Sequence, residues 1–222
     1  MKTIFISKDA SELSELAPFF KNKSITMVCR SLIKFEPVNF ESPKDFDVIF
    51  FSSIRCAQFL ETSECIDLHS YSLCCAGPQT ASRLKRMGYE PAFVGKNASM
   101  PDVVSKDFTK WLGKRRVFIP CSNRSLKSIE AHIPENQVHS IVVYKTLLAP
   151  KKINSGDIMV FSSPSNVHSY FSENKLQESS VLISWGSSTS FALKEYGVVP
   201  NFILKKGSVI ELKELLDNHF SI

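Results

Sequence analysis

The sequence predicts an α/β protein of two similar lobes, each a parallel sheet flanked by helices. Three observations carry this expectation. Short apolar runs rich in Ile, Val and Phe recur at the length of buried strands, amphipathic stretches lie between most of them, and the chain writes one series of motifs twice.

The runs are, in order, TIFIS, DVIFFS, YSLCCAG, PAFVG, RVFIP, SIVVY, DIMVFS, VLISWG and NFILK. Each is five to seven residues long with an apolar core, as strands covered on two sides are. SELSELAPFF, QTASRLKRMG, MPDVVSKDFTKWLG, STSFALKEYG and SVIELKELLDNHF carry the spacing of helices with one apolar face. Strand and helix alternate, so parallel pairing through crossover helices is expected.

The repeat is read by laying the chain on itself. Asp47 and Ser52-Ser53 match Asp157 and Ser162-Ser163 at an offset of 110 residues. GPQT at 77–80 and KRMGYEP at 85–91 match GSST at 186–189 and KEYGVVP at 194–200, at an offset of 109. TIFISKDASEL resembles RVFIPCSNRSL, with Ile6 against Ile119. Two copies are too few for a solenoid and predict two domains.

Composition narrows the functional classes. The 222 residues are 43% hydrophobic and 22% charged, with a formal net charge of +5. Lysines are scattered apart from Lys114-Arg115-Arg116 and Lys151-Lys152, so no basic stripe for nucleic acid is expected. No apolar run approaches the roughly 20 residues that span a bilayer. MKTIFISKDAS meets a lysine and an aspartate before a signal peptide could develop, so a cytoplasmic protein is expected. Six cysteines without CxxC or Cys/His spacing read as reduced, mostly buried thiols, and no metal or other cofactor is implied.

The shared motifs fall at strand-to-helix turns. Ser53 and Ser163 are placed to cap helices, with Pro164 at a first helical position, and Gly77 and Gly186 open helices that carry Thr80 and Thr189. Capping alone accounts for such residues in most proteins. A functional reading comes from where they collect: these turns line the carboxyl edge of a parallel sheet, where ligands bind and free helix N–H groups suit anions.

The residues resemble the uroporphyrinogen-III synthase family over nearly the whole chain. The resemblance is carried by LIKFEPV at 32–38, the Ser-Ser turn at 47–53, GPQTASRL at 77–84 with GYEP at 88–91, VVYKT at 142–146, FSSPSNV at 161–167, and WGSSTSFAL through GVVP at 185–200. It implies discontinuous domains: residues 1–32 with 150–222 in one, 39–140 in the other, and a two-stranded antiparallel linker at 33–38 and 141–149. The carboxyl ends of both sheets would face a shared cleft. It also implies a monomer acting on a small molecule, with neither nucleic acid nor membrane as partner.

The implied reaction closes linear hydroxymethylbilane, a tetrapyrrole with many carboxylates, to uroporphyrinogen III with loss of water and inversion of the last ring. Loss of the terminal hydroxyl gives an azafulvenium cation, the far pyrrole attacks to form a spiro intermediate, and that intermediate reopens and closes the other way round. The substrate also closes unaided to the uninverted isomer, so the protein must direct geometry. Carboxylates are expected at Ser52, Ser53, Arg55, Gly77, Thr80, Ser122, Arg124, Lys145, Ser162, Ser163, Ser165, Gly186, Ser188 and Thr189. Tyr144 matches the family's tyrosine and is the candidate general acid; it would serve equally as a packed linker ring opposite Phe35. Two features depart from many relatives. Ser52-Ser53 and Arg55 stand where those relatives have Thr-Ser and an asparagine, and Lys8 lies near where they have an arginine. A non-catalytic bilobed anion-binding or sensor protein of the same fold is the alternative. A cysteine phosphatase is set aside, since seven residues separate Cys75 from Arg83, too many for the short loop of that chemistry.

Overall fold

The structure, a computed structural model, describes residues 2–20, 25–98 and 100–220. In chain order its elements are β1 (Lys2–Ile6), α1 (Ala17–Phe20), β2 (Ile25–Cys29), β3 (Ile33–Pro37), β4 (Val48–Phe51), α2 (Ile54–Ser63), β5 (Ser72–Cys75), α3 (Pro78–Arg86), β6 (Phe93–Val94), α4 (Pro101–Leu112), β7 (Val117–Ser122) and β8 (Val138–Leu148). The remainder are β9 (Ile158–Phe161), α5 (Pro164–Phe171), β10 (Val181–Ser184), α6 (Ser187–Glu195), β11 (Phe202–Ile203) and α7 (Val209–Phe220). Two compact units result: Met1–Lys34 with Leu147–Ile222, and Phe35–Thr146.

The two units have the same sheet. The first orders its strands β11-β10-β9-β1-β2, the second β6-β5-β4-β7-β8 with β3 added beyond β8. The pairs from β11 to β2 and from β6 to β8 run parallel. Alternate residues of each strand face opposite cores, which is why the strands read as unbroken apolar runs. In β4, Ile49 and Phe51 pack with Ala57, Leu60 and Leu84 of α2 and α3, while Val48 and Phe50 pack with Val104, Phe108 and Leu112 of α4. In the first unit Ile4 and Ile6 pack with Leu212 and Leu216 of α7, and Phe5 with Val167, Tyr170 and Leu193 of α5 and α6.

β3 and β8 are neighbours. Leu32 C=O accepts from Ala149 N–H at 2.8 Å and Val143 C=O from Val38 N–H at 3.0 Å. Numbers rise along one strand as they fall along the other, so the pair is antiparallel.

Two elements differ from expectation. SELSELAPFF is not one helix: it forms a 3-10 turn at Ala10–Leu13 and a single turn of α1. Pro18 lacks the backbone donor that would bond back to the preceding turn, so the periodic pattern does not continue through it as one helix. β2 is a half-exposed edge strand, ITMVC, with no fully buried residue to mark it. All six thiols are free, and Cys56, Cys74, Cys75 and Cys121 are buried. Among the described residues no helix is long and apolar enough to cross a membrane.

Burial sets the alkaline limit of the fold. It pushes the thiols of Cys56 and Cys74 from 9.0 up to about 12 and that of Cys75 to about 11. Folded pKa values raised above unfolded ones give a contribution that is complete below about pH 9 and is lost as pH rises through 11 to 12. The melting temperature is expected to fall steadily above about pH 9 in a thermal scan across pH 7 to 11.

Candidate functional site

In each sheet the direction of chain progression reverses between two central strands, β4 and β7 in the second unit and β9 and β1 in the first. Outside the carboxyl ends of such a strand pair lies the place where doubly wound sheets bind ligands.

In the second unit β4 ends at Ser52-Ser53. Ser53 caps α2, its hydroxyl accepting from Arg55 N–H at 3.3 Å. β7 ends at Ser122, whose hydroxyl accepts from Arg124 N–H at 3.2 Å. Tyr144 reaches toward this pair of turns from β8, with the side chains of Ser122 and Ser53 close enough to favour its ionised form slightly.

A bulge aims it there. Pro120 and Cys121 pair with Ile141 and Val142, but Ser122 pairs with Tyr144, so β8 carries an extra residue at Val143. Val143 and Tyr144 consequently both enter the core under α2, where strict alternation would have sent one of them to the other face.

The tyrosine ring is 6% exposed, stacked on Phe59 at 5.0 Å and edge-on to Phe35 at 5.9 Å. The Arg55 guanidinium lies 3.5 Å over Phe35, and among the described residues no carboxylate pairs with it. Burial pushes the Tyr144 phenol up to about 12, with Arg55 and the nearby Ser122 and Ser53 side chains pulling the other way. It therefore stays protonated at neutral pH. Chemically this corner holds a permanent phenol donor and, at Arg55, a guanidinium fixed by its flat face with its N–H edge unpaired among the described residues.

In the first unit β9 ends at Ser162-Ser163 and β1 at Ser7. Ser162 N–H donates to Ser7 Oγ at 2.8 Å and Ser162 Oγ–H to Ser7 C=O at 2.6 Å, which ties the two strand ends together. Ser163 caps α5 with Pro164 at its first position. Lys8 follows, bonded to Glu12 at 3.2 Å and 5.1 Å from the Trp185 ring.

One strand further out, Gly77 and Gly186 are the N-caps of α3 and α6. A Cβ on Gly77 would lie 3.1 Å from Ala98, whereas one on Gly186 would meet nothing within 4 Å. Gly186→Ala is therefore expected to change stability by less than about 0.5 kcal/mol, measured by denaturant titration.

Not every expected residue joins these corners. Lys145 is exposed on the face of β8 opposite Tyr144, as alternation after the bulge requires. Arg124 is exposed but turned back, its Nε donating to Thr146 C=O at 3.3 Å. Thr189 is 2% exposed inside α6, while Thr80 and Ser165 are half-buried and Ser52 and Ser188 exposed. Sequence reasoning missed Ser7, Phe59, Asn123 and Asn166. Asn123 Oδ1 accepts from Thr146 N–H at 2.8 Å, and Asn166 holds the Ser162-Ser163 turn. Of these only Asn166 had a local signal, as a polar residue three places after an N-cap serine.

The fold and its two corners define a protein of duplicated, doubly wound α/β units with anion-suited turns at each strand-order reversal. Residues 14–218 match the family model described as uroporphyrinogen-III synthase HemD, and the chain belongs to that family. Among solved structures it is similar to uroporphyrinogen-III synthetase from Helicobacter pylori, with TM-score 0.70, 20% identity, and 97% of this chain and 98% of that one covered. It is also similar to a mutant uroporphyrinogen III synthase from Thermus thermophilus, with TM-score 0.59, 16% identity and 97% of each chain covered. No curated protein sequence matches it.

Proposed function

We propose that the protein is a uroporphyrinogen-III synthase, a lyase that closes hydroxymethylbilane with loss of water and inversion of the last ring. The observation that carries this is the convergence of Ser53, Arg55, Ser122 and Tyr144 at one strand-order reversal, in a chain that matches the synthase family across residues 14–218.

The chemistry asks for two things. The terminal hydroxyl must leave, and the chain must be held so that the far pyrrole attacks at its substituted carbon. Tyr144 supplies a neutral donor for the departing oxygen, and a hydrogen bond that strengthens as negative charge builds there lowers the barrier. In the second unit Arg55 and the N–H groups opening α2 and α3 suit substrate carboxylates, with Ser53 and Thr80 adding hydroxyls; in the first unit the N–H groups opening α5 and α6 and the Ser163 hydroxyl offer the same chemistry. Arg124 and Lys145 contribute positive potential at the second unit's edge and no fixed contact. Holding the ends of the tetrapyrrole near attack distance supplies the rest of the acceleration.

Consumption of hydroxymethylbilane, generated in the same vessel by its upstream enzyme, tests this reading. Loss faster than the spontaneous rate, in proportion to protein, is expected. Affinity for uroporphyrinogen III is expected to weaken by roughly tenfold between low salt and 0.5 M salt, because the contacts are largely charge-assisted. Equal dissociation constants in a fluorescence titration would argue against Arg55 as a carboxylate receptor.

A further inference from the structure

Ser163 is half-buried at the end of β9, and its oxygen accepts two hydrogen bonds, both from Asn166. One is the cap bond from the Asn166 backbone N–H at 3.3 Å; the other comes from Nδ2 at 3.0 Å. The orientation of that amide is settled by its other end. Oδ1 accepts at 2.8 Å from the Leu32 N–H, a group that can only donate, so the nitrogen must face the serines. The same nitrogen donates to Ser162 Oγ at 3.3 Å, whose own proton goes to Ser7 C=O at 2.6 Å. Asn166 is 3% exposed, with both amide protons donated to the serines and its oxygen held by Leu32.

A serine hydroxyl has two acceptor lone pairs and one proton. With both lone pairs of Ser163 taken, its proton is the remaining capacity, and among the described residues nothing accepts it. The hydroxyl can only donate. The matching turn in the other unit is built differently: Cys56 stands where Asn166 does, at the repeat offset of 110, and Ser53 accepts only the cap bond from Arg55 N–H at 3.3 Å among the described residues.

We propose that Asn166 is a positioning residue that holds Ser163 as an obligate hydrogen-bond donor for a carboxylate of the substrate. This rests on the synthase reading above, in which the acceptor is one of the tetrapyrrole's acid side chains. The inward-facing amide excludes the orientation in which Ser163 would accept, so the turn favours an anion over a neutral donor group.

The test is a thermodynamic cycle on the full chain, with KM and kcat for hydroxymethylbilane measured separately. In the wild-type background Ser163→Ala is expected to raise KM about tenfold with kcat changed less than about twofold, as loss of a charge-assisted bond made equally in ground and transition states does. Asn166→Asp keeps the oxygen for Leu32 but turns the donor into an acceptor, which takes the Ser163 proton inward. In that background Ser163→Ala is expected to cost under about twofold more, because the donor has already been lost. If Ser163→Ala costs its full tenfold in both backgrounds, Asn166 does not act through Ser163 and the proposal fails. Should Asn166→Asp not fold, Asn166→Ala supplies the second background: it removes the inward amide that fixes Ser163, so a Ser163→Ala cost that shrinks there supports the proposal and one that stays tenfold overturns it. Failure of the synthase reading is distinct, since the wild type would then consume no substrate above the spontaneous rate.

Discussion

Tyr144→Phe is expected to slow formation of the inverted product by roughly tenfold to hundredfold, about 1.4 to 2.7 kcal/mol of barrier. The substitution keeps the ring that stacks on Phe59 and faces Phe35, and removes only the donor. Complete transfer of the proton would leave a phenolate in a site that already pushes the phenol to about 12, so a strengthened hydrogen bond, not a finished transfer, is the contribution expected. That places the effect toward the lower end of general acid catalysis. The neighbouring Ser53 and Ser122 are half-buried and keep their own bonds to Arg55 and Arg124 N–H, so stability should move by about 1 kcal/mol or less. A Tyr144→Phe variant with wild-type turnover would reduce this residue to packing in β8 and leave catalysis to the carboxylate receptors.

Gly95→Ala is expected to destabilise the second unit by about 3 kcal/mol. A Cβ there would lie 2.4 Å from Ala76 O and 2.9 Å from Ala76 C, backbone atoms that cannot rotate away, and 2.8 Å from Val104 Cγ1. Gly95 N–H also donates to Cys75 C=O at 2.9 Å, so the clash and the strand pairing compete directly. Ala76 immediately precedes the Gly77 turn, and any relief moves the start of α3. Denaturant unfolding of the variant should show a lower midpoint, and activity should fall with it. Unchanged stability would mean that β5 and β6 separate more easily than their pairing suggests.

The two predictions differ in how far the sequence alone could support them. The buried strands were legible because covering a sheet on both faces leaves an unbroken apolar run, as VIFF in β4 and IMVF in β9 show. The repeat was legible because strand-end caps are local chemistry: Ser53 and Ser163 bond N–H groups two and three residues away. Tyr144 was identified through the family motif, but not the bulge that aims it, since an extra residue at Val143 leaves no trace in hydrophobic periodicity. Asn166 bonds Leu32 across 134 residues, and no local pattern encodes that distance. Gly95 was hidden for a related reason. Its counterpart at the repeat offset of 109 is Leu204, whose N–H makes the matching bond to Ser184 C=O at 3.0 Å, so the duplication suggests tolerance where the packing forbids it. Lys145 and Thr189 show the converse, residue types suited to a carboxylate placed by strand and helix phase away from the corners.

The central claim, that these corners direct ring closure, is tested most directly by the isomer formed. Hydroxymethylbilane is supplied by its upstream enzyme in the presence of the purified chain, the products are oxidised to uroporphyrins, and the type I and type III isomers are separated by chromatography. Type III is expected to dominate with wild-type protein, and the uninverted type I isomer to accumulate as the protein is diluted away. Exclusive type I at every protein concentration would contradict the account, because the chain would then hold the fold and the donors of a synthase without directing the closure.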